Sequence, residues 1–206
     1  MGYYVGDVPA QPLVIEPVRD EETIDLTPFT EVLVAAYGPD AQPVITPGFV
    51  ATIQGEVIVV EWPESSPFDE AGIYEIVLTL DNPDTNVRER LAPVRVVADY
   101  DDGWHTLASA RDDWRDAPPY DAWLYELLWV AKENVLAFAP ALELDERPPI
   151  NYRRAQIMQA RNLWNAGKVD PGTGDQGTDT FVLSPFPLDW NIKQVLRPKR
   201  AIPGAF

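Results

Sequence analysis

The strongest constraint on the fold is a change of residue pattern near residue 98. Before it, short runs rich in Val, Ile, Leu and Tyr are separated by turn residues, and several runs place apolar side chains at every second position, the period of a β-strand. After it, apolar residues recur at the spacing of an amphipathic helix. We therefore predict two domains of different secondary structure.

The first part, residues 1–97, is predicted to contain only strands. Turn signals such as Asp81-Asn82-Pro83-Asp84 separate the runs, because proline fixes φ and Asx side chains bond nearby backbone. About six or seven strands in such a length are typical of a β-sandwich. The predicted strands are Leu13–Val18, Glu31–Tyr37, Gly48–Ile53, Glu56–Trp62, Gly72–Leu80 and Arg88–Val97.

One of these runs resembles a known strand. Residues 71–78, Ala-Gly-Ile-Tyr-Glu-Ile-Val-Leu, resemble the strand of immunoglobulin-like domains that carries the tyrosine corner, in which the Tyr74 hydroxyl would bond nearby backbone. The Val5-Gly6-Asp7 start and the phrase at 25–32 resemble the N-terminal module of phage baseplate and tail proteins. The predicted fold class is thus an all-β immunoglobulin-like sandwich followed by an all-α small helical bundle with an extended C-terminal arm.

The bundle is predicted over residues 98–167. Its first helix runs from Trp104 to about Trp114, with Asp101 or Asp102 as N-cap. The second spans about 120–139 and is apolar on most sides, and the third runs from Ile150 to Ala166 before Gly167. In the third helix we expect Ile150, Ile157, Ala160 and Trp164 to face the core.

A Gly/Asp-rich loop is predicted at 168–180, followed by a C-terminal docking segment at 181–206. Asp189 is the last acidic residue, and a short helix should start near it and end before Pro198. The segment is too apolar for a solvated tail, so we expect it to bind a partner protein and expect a chain without residues 181–206 to stay folded. The predicted docking residues are Phe186, Trp190, Ile192, Lys193, Leu196, Arg197, Lys199, Arg200 and Phe206.

The net charge of −17 argues against a conventional nucleic-acid-binding protein, which neutralises phosphates with basic side chains. Residues 1–97 hold most of this charge, with 17 acidic side chains against four arginines. The absence of cysteine fits a protein made in a reducing cytosol. The sequence also shows no signal-peptide pattern and no apolar run approaching the roughly 20 residues of a membrane span.

The inventory of reactive residues predicts no enzyme and no cofactor. The one histidine, His105, could act as a general base, but a surface or capping role is favoured because no nucleophile has helical spacing to it. Acidic pairs such as Asp112-Asp113 could imitate a glycosidase dyad, although such pairs are unavoidable in so acidic a chain. The acids at 170, 175 and 179 miss the EF-hand spacing, so no metal is expected either.

The second part resembles the head-to-tail adaptor proteins of long-tailed actinobacteriophages. The resemblance covers residues 99–206 and is most specific at 155–164 (AQIMQARNLW), at 185–190 (PFPLDW) and at 196–198 (LRP). It implies a virion structural protein of the neck, assembled in the host cytoplasm as a homo-oligomeric ring, usually dodecameric. Such a ring docks on the portal protein and on a stopper, the neck protein on its tail side, and double-stranded DNA passes through it without sequence-specific binding.

A ring requires each subunit to present two different faces to its neighbours. We expect the second helix to supply one of them. The predicted subunit-interface residues are Trp123, Val130, Arg153, Arg154 and Arg161.

An alternative to the adaptor function is a tail, baseplate or receptor-binding module that uses the immunoglobulin-like domain. A sugar-cleaving enzyme is a third class of function, and it rests on carboxylates alone.

Overall fold

The structure is a computed structural model, which describes residues 2–19, 22–44, 48–143, 146–168 and 188–197. The chain divides into two compact units, Met1–Tyr100 and Asp101–Phe206. The predicted boundary lies between residues 97 and 98. The predicted loop after Lys168 and the predicted extended arm after Arg197 lie outside the described residues.

The described residues of the first unit form three sheets. One has five strands, in the order β1-β10-β8-β5 with β9 also paired to β8, one has three in the order β2-β7-β6, and β3 pairs with β4. All pairs are antiparallel except β1 with β10. The strands are β1 Tyr3–Tyr4, β2 Leu13–Ile15, β3 Val18–Arg19, β4 Glu22–Thr23, β5 Glu31–Tyr37, β6 Val50–Gln54, β7 Val57–Glu61, β8 Gly72–Asn82, β9 Val87–Arg90 and β10 Val94–Asp99.

The core of this unit follows from period-2 alternation along its longest strand. In β8, Tyr74, Ile76, Leu78 and Leu80 all point to one face and are almost fully buried. They pack in one apolar cluster with residues of the three-stranded sheet, such as Ile58 of β7. Two inward-facing rows of alternate residues therefore hold the two larger sheets together.

Tyr74 fixes the turn that precedes its own strand. Its hydroxyl lies 3.2 Å from the backbone nitrogens of both Asp69 and Glu70, which donate to it, and 2.9 Å from a carboxylate oxygen of Asp69. Burial is the main reason that the pKa of Tyr74 is raised to about 12. The predicted bonding of this hydroxyl to nearby backbone is confirmed. At the strand's first residue, Gly72, a Cβ would lie 2.3 Å from a side-chain carbon of Pro39, so only glycine fits.

Four helices form the described part of the second unit: α1 Leu107–Asp113, α2 Asp121–Phe138, α3 Ile150–Lys168 and α4 Trp190–Leu196. The N-cap of α1 is Thr106, not Asp101 or Asp102, because Thr106 and Ser109 satisfy each other's backbone N–H groups in a capping box. Asp189 caps α4, whose Ile192 N–H donates to the Asp189 carboxylate at 2.9 Å. The predicted short helix before Pro198 is thereby confirmed.

The core of the second unit depends on α4. Leu188, Ile192 and Leu196 are buried against residues of α2 and α3, including Val135 and Ala155. Their spacing of four residues puts the three side chains on one side of the short helix. A seven-residue helix is too short to be stable by itself in water, so this apolar contact is what holds it.

The predicted fold class, an all-β immunoglobulin-like sandwich followed by an all-α bundle, is wrong. The described residues form a mixed α/β protein with ten strands in three sheets and four helices, about 30% helix and 28% strand. The sequence prediction counted only long apolar runs. It therefore missed two-residue strands such as β1 and β4, and it treated β9 and β10 as one strand.

Candidate functional site

The outward side of α2 carries an exposed apolar surface, which we call the α2 face. It consists of Trp123, Trp129, Val130 and Leu136, whose side chains are between 37% and 48% exposed. Positions 123, 130 and 137 lie seven residues apart, and 129 and 136 form a neighbouring row, so all occupy one side of the helix. Four large apolar side chains on one exposed helix face are typical of a protein-binding surface.

Neighbouring rings hold the two tryptophans of the α2 face in place. Trp123 meets Tyr120 edge-on at a centroid distance of 4.8 Å and lies 6.3 Å from the ring of Trp164 on α3. Trp129 stacks on Tyr125 at 6.2 Å, and the ammonium of Lys132 lies 5.6 Å from its centroid. Side chains that are already positioned lose little rotamer entropy on binding, which favours association.

The charges around the α2 face are acidic. Glu126 and Glu133 are exposed on the same side of the helix, and no described cation lies within salt-bridge distance of either. Lys132 does not offset them, because it is already paired with Asp102 at 2.5 Å. The α2 face therefore consists of two apolar rows with two uncompensated carboxylates between them.

The outward side of α3 has the opposite charge, and we call it the α3 face. Ile150 is 85% exposed, so the expectation that it faces the core is wrong, whereas Ile157 and Ala160 are buried as expected. Arg154 lies one turn after Ile150 and is exposed, and Arg161 lies seven residues after Arg154 and is half-buried. Trp164, the fourth expected core residue, is half-buried.

The structure places the five predicted interface residues on two helices. Trp123 and Val130 belong to the α2 face, and Arg154 and Arg161 belong to the α3 face. Arg161 also donates from Nη2 to the backbone carbonyl of Asp113, and its guanidinium lies 5.8 Å from the ring centroid of Trp114. Arg153 and Arg161 each have a buried Nε without a described hydrogen-bond partner, and the charge of Arg153 also acts on His105.

The predicted docking residues of α4 separate into a buried set and an exposed one. Ile192 and Leu196 are core residues of the second unit, so neither is available on the surface as predicted. Lys193 and Arg197 lie over the ring of Phe138, at 5.8 and 4.9 Å from its centroid, and so contact their own chain. Trp190 is 67% exposed and is the predicted anchor that α4 leaves on the surface.

The remaining predicted docking residues, Phe186, Lys199, Arg200 and Phe206, lie outside the described residues. The same holds for the acids at 170, 175 and 179 that were weighed as calcium ligands. Among the residues that the structure does describe, no group of three acidic or histidine side chains is placed to hold a metal ion. Within the same part of the chain, no helix has both the length and the apolarity of a membrane span.

A Ser–His–Asp grouping that the sequence prediction overlooked surrounds His105. Its Nδ1 lies 3.2 Å from the Ser109 hydroxyl, and its Nε2 lies 3.8 Å from a carboxylate oxygen of Asp113, which is too long for a hydrogen bond. Positions 105, 109 and 113 have the four-residue helical spacing that would have indicated it. His105 itself lies just before α1, not inside it as predicted.

The geometry of this grouping favours a cap over a catalytic site. The His105 side chain is only 4% exposed, and the Ser109 hydroxyl is already used by the Thr106 backbone N–H at 3.0 Å. Burial, followed by the charge of Arg153, lowers the pKa of His105, so the ring is neutral near pH 7.

A surface pocket of about 460 Å³ lies elsewhere, in the first unit, where it is lined by Gly38, Asp40, Gln42, Pro43, Val44, Asp69 and Glu70.

No protein family, curated protein or solved structure matches this chain in sequence or fold comparison.

Proposed function

We propose that the chain is a virion structural protein, the head-to-tail adaptor that forms a ring between the portal and the tail of a phage. It acts in the neck of the particle without enzymatic activity. The observation that carries the proposal is the exposed α2 face, with two tryptophans that neighbouring rings hold in position. The resemblance of residues 99–206 to such adaptors supplies the kind of assembly.

The charge of the chain supports a place around a DNA channel. A net charge of −17 repels phosphate, so a duplex could slide through a ring of such subunits without being held. A basic lining would instead bind DNA by releasing counterions from it. Double-stranded DNA is therefore a passing neighbour in this proposal, and the binding partners are other copies, the portal and a tail-side neck protein.

The proposed portal contact is narrower than the sequence alone predicts. We no longer include Ile192 and Leu196 among the proposed portal-contact residues, because they are buried in the core of their own unit. Trp190 becomes the central described residue, since a large exposed indole is the kind of side chain that dominates binding energy at interfaces. The residues after Arg197 remain part of the proposed contact on sequence grounds.

Particle composition tests the function directly. A phage mutant without the gene should accumulate DNA-filled heads that lack tails, as seen by electron microscopy of the lysate. Whole particles that fail to adsorb to the host would contradict the adaptor role and would favour a receptor-binding module.

Portal docking has its own test. In purified mixtures, Trp190→Ala should reduce co-sedimentation of the chain with portal rings, whereas Tyr100→Ala, which removes a similarly exposed aromatic ring from the first unit, should not. Equal binding by the wild-type chain and the Trp190→Ala variant would remove Trp190 from the contact.

A further inference from the structure

We propose that the α2 face of one copy packs against the α3 face of the next copy, with Glu126 and Glu133 opposite Arg154 and Arg161. This inference rests on the proposed ring and names the surfaces that build it. The occupant of the α2 face is thus a second copy of this chain, bound through a different surface from the one it covers.

The spacing of the charges matches along the two helices. Glu126 and Glu133 are seven residues apart on α2, and Arg154 and Arg161 are seven residues apart on α3. At a rise of 1.5 Å per residue, each pair spans about 10.5 Å, and seven residues are close to two turns, so both members share a side of the helix. When the two helices pack side by side, both carboxylate–guanidinium pairs can form at once.

Within the described residues, these four charges have no opposite charge of their own to pair with. No salt bridge between described residues involves Glu126, Glu133, Arg154 or Arg161. The two groups that Arg161 does contact, the Asp113 carbonyl and the Trp114 ring, are neutral and leave its charge uncompensated. The apolar parts match as well, because Ile150 stands exposed beside Arg154 and can pack against one of the two apolar rows of the α2 face.

The charges also decide the symmetry of the contact. Two α2 faces brought together would set carboxylates against carboxylates, and two α3 faces would set guanidinium groups against each other, which disfavours a two-fold dimer. An α2-to-α3 contact pairs opposite charges and leaves every copy with one free face of each kind. Such a contact repeats from copy to copy and closes into a ring when the rotation between copies allows it.

Sedimentation velocity of the full chain over a range of concentrations tests the proposal. The wild-type protein should self-associate, and Glu126→Arg with Glu133→Arg should raise the dissociation constant by about tenfold or more. Arg154→Glu should do the same from the other surface, without touching the contacts that Arg161 makes in its own chain. An equimolar mixture of the two variants should recover pairwise association, because the unchanged α2 face of the Arg154→Glu variant meets the unchanged α3 face of the other variant.

Matched controls separate the surface from the net charge. Asp112→Arg with Asp116→Arg changes the charge by the same amount at exposed sites outside α2, and Arg115→Glu does so for the arginine variant. Both controls should associate like the wild type, and circular dichroism should show every variant folded. A monomeric wild type, association that survives the reversals, or a mixture that stays dissociated would each overturn the proposal.

The inference and the proposed function fail in different ways. In one case, the charge reversals abolish self-association but the gene deletion still yields tailed particles. The proposed contact surfaces are then supported and the adaptor role is refuted. In the other case, the gene deletion yields tailless heads but self-association does not respond to the charge reversals. The adaptor role is then supported and the proposed contact surfaces are refuted.

Discussion

Asn162 of α3 donates a hydrogen bond of 2.7 Å to Asp189, the residue that caps α4. The other carboxylate oxygen of Asp189 accepts from the Ile192 N–H at 2.9 Å, so a single side chain both starts α4 and ties it to α3. A cap of this kind serves tertiary structure as much as helix formation.

Asp189→Ala should therefore destabilise α4 by about 1 to 2 kcal/mol, the usual cost of losing an N-cap oxygen. Hydrogen exchange of the α4 amides should accelerate relative to the amides of β8, which belong to the other unit. Asp189→Asn keeps an oxygen for the Ile192 N–H and should lose less than half as much. Unchanged protection of α4 in the Ala variant would contradict the proposed role of the cap.

Ile192→Ala should cost about 2 to 5 kcal/mol of unfolding free energy, because it leaves a cavity in the core of the second unit. Asn191→Ala, at the exposed neighbouring position, is the matched control and should change stability little. Urea unfolding followed by tryptophan fluorescence measures both.

A chain that ends at residue 187 should lose the cooperative unfolding of its second unit. It lacks Leu188, Ile192 and Leu196, each contributing about 1.5 to 3 kcal/mol by burial. The burial of these residues argues against the expectation from sequence that removing residues 181–206 leaves a folded chain. A truncated chain as stable as the full one would show that α4 is dispensable for the fold.

The stability of the second unit should fall in mild acid because of His105. The pKa of this residue is lowered in the folded state, first by burial and then by Arg153, with Asp113 opposing the shift and Ser109 contacting Nδ1. The unfolded chain, with an ordinary pKa of about 6.5, therefore binds the proton more readily. The contribution of neutral His105 to the free energy of unfolding is complete above pH 6.5, and it is lost as the pH falls through the pKa of His105 in the folded state.

Urea midpoints at pH 7.5 and pH 5 measure this effect. Replacing the chain's one histidine by glutamine, His105→Gln, should flatten the difference, since glutamine does not titrate. An equally steep acid loss in this variant would assign the effect to carboxylates instead.

Tyr74→Phe should destabilise the first unit by about 1 to 3 kcal/mol, because the backbone N–H groups of Asp69 and Glu70 lose their acceptor. Tyr37→Phe is a suitable control, since no hydrogen bond of the Tyr37 hydroxyl is found among the described residues. Thermal unfolding compares the two variants, and equal melting temperatures would contradict the structural role of the Tyr74 hydroxyl.

The sequence predicted those elements whose side chains alternate or repeat over several residues. The bounds of β5 agree with the prediction, because its burial alternates along its first six residues. The two-residue strands carry no readable period, and β9 and β10 separate around Pro93, which has no N–H to donate. The start of α1 was missed because Ser109 stands where a capping box usually has Glu or Gln.

The candidate site was predictable only in part for a similar reason. Exposed Trp123 and buried Leu124 are adjacent apolar residues, and a helix with apolar side chains on most sides does not reveal which of them a neighbouring helix covers. The residues of α4 present the same ambiguity, since the four-residue spacing of Ile192 and Leu196 suits a core and a partner equally well. Only the three-dimensional structure shows that Trp190 is exposed while Ile192 and Leu196 are buried.

The packing of α4 also sets an order of events during synthesis. The core residues of the first unit have all been translated once Ala98 is made, so that unit can fold on the ribosome. The core of the second unit stays incomplete until Leu196 is made, although Trp104 and all of α2 and α3 precede it. Any product of interrupted translation that stops between α3 and α4 will present an open apolar surface, the kind of surface that chaperones and proteases recognise.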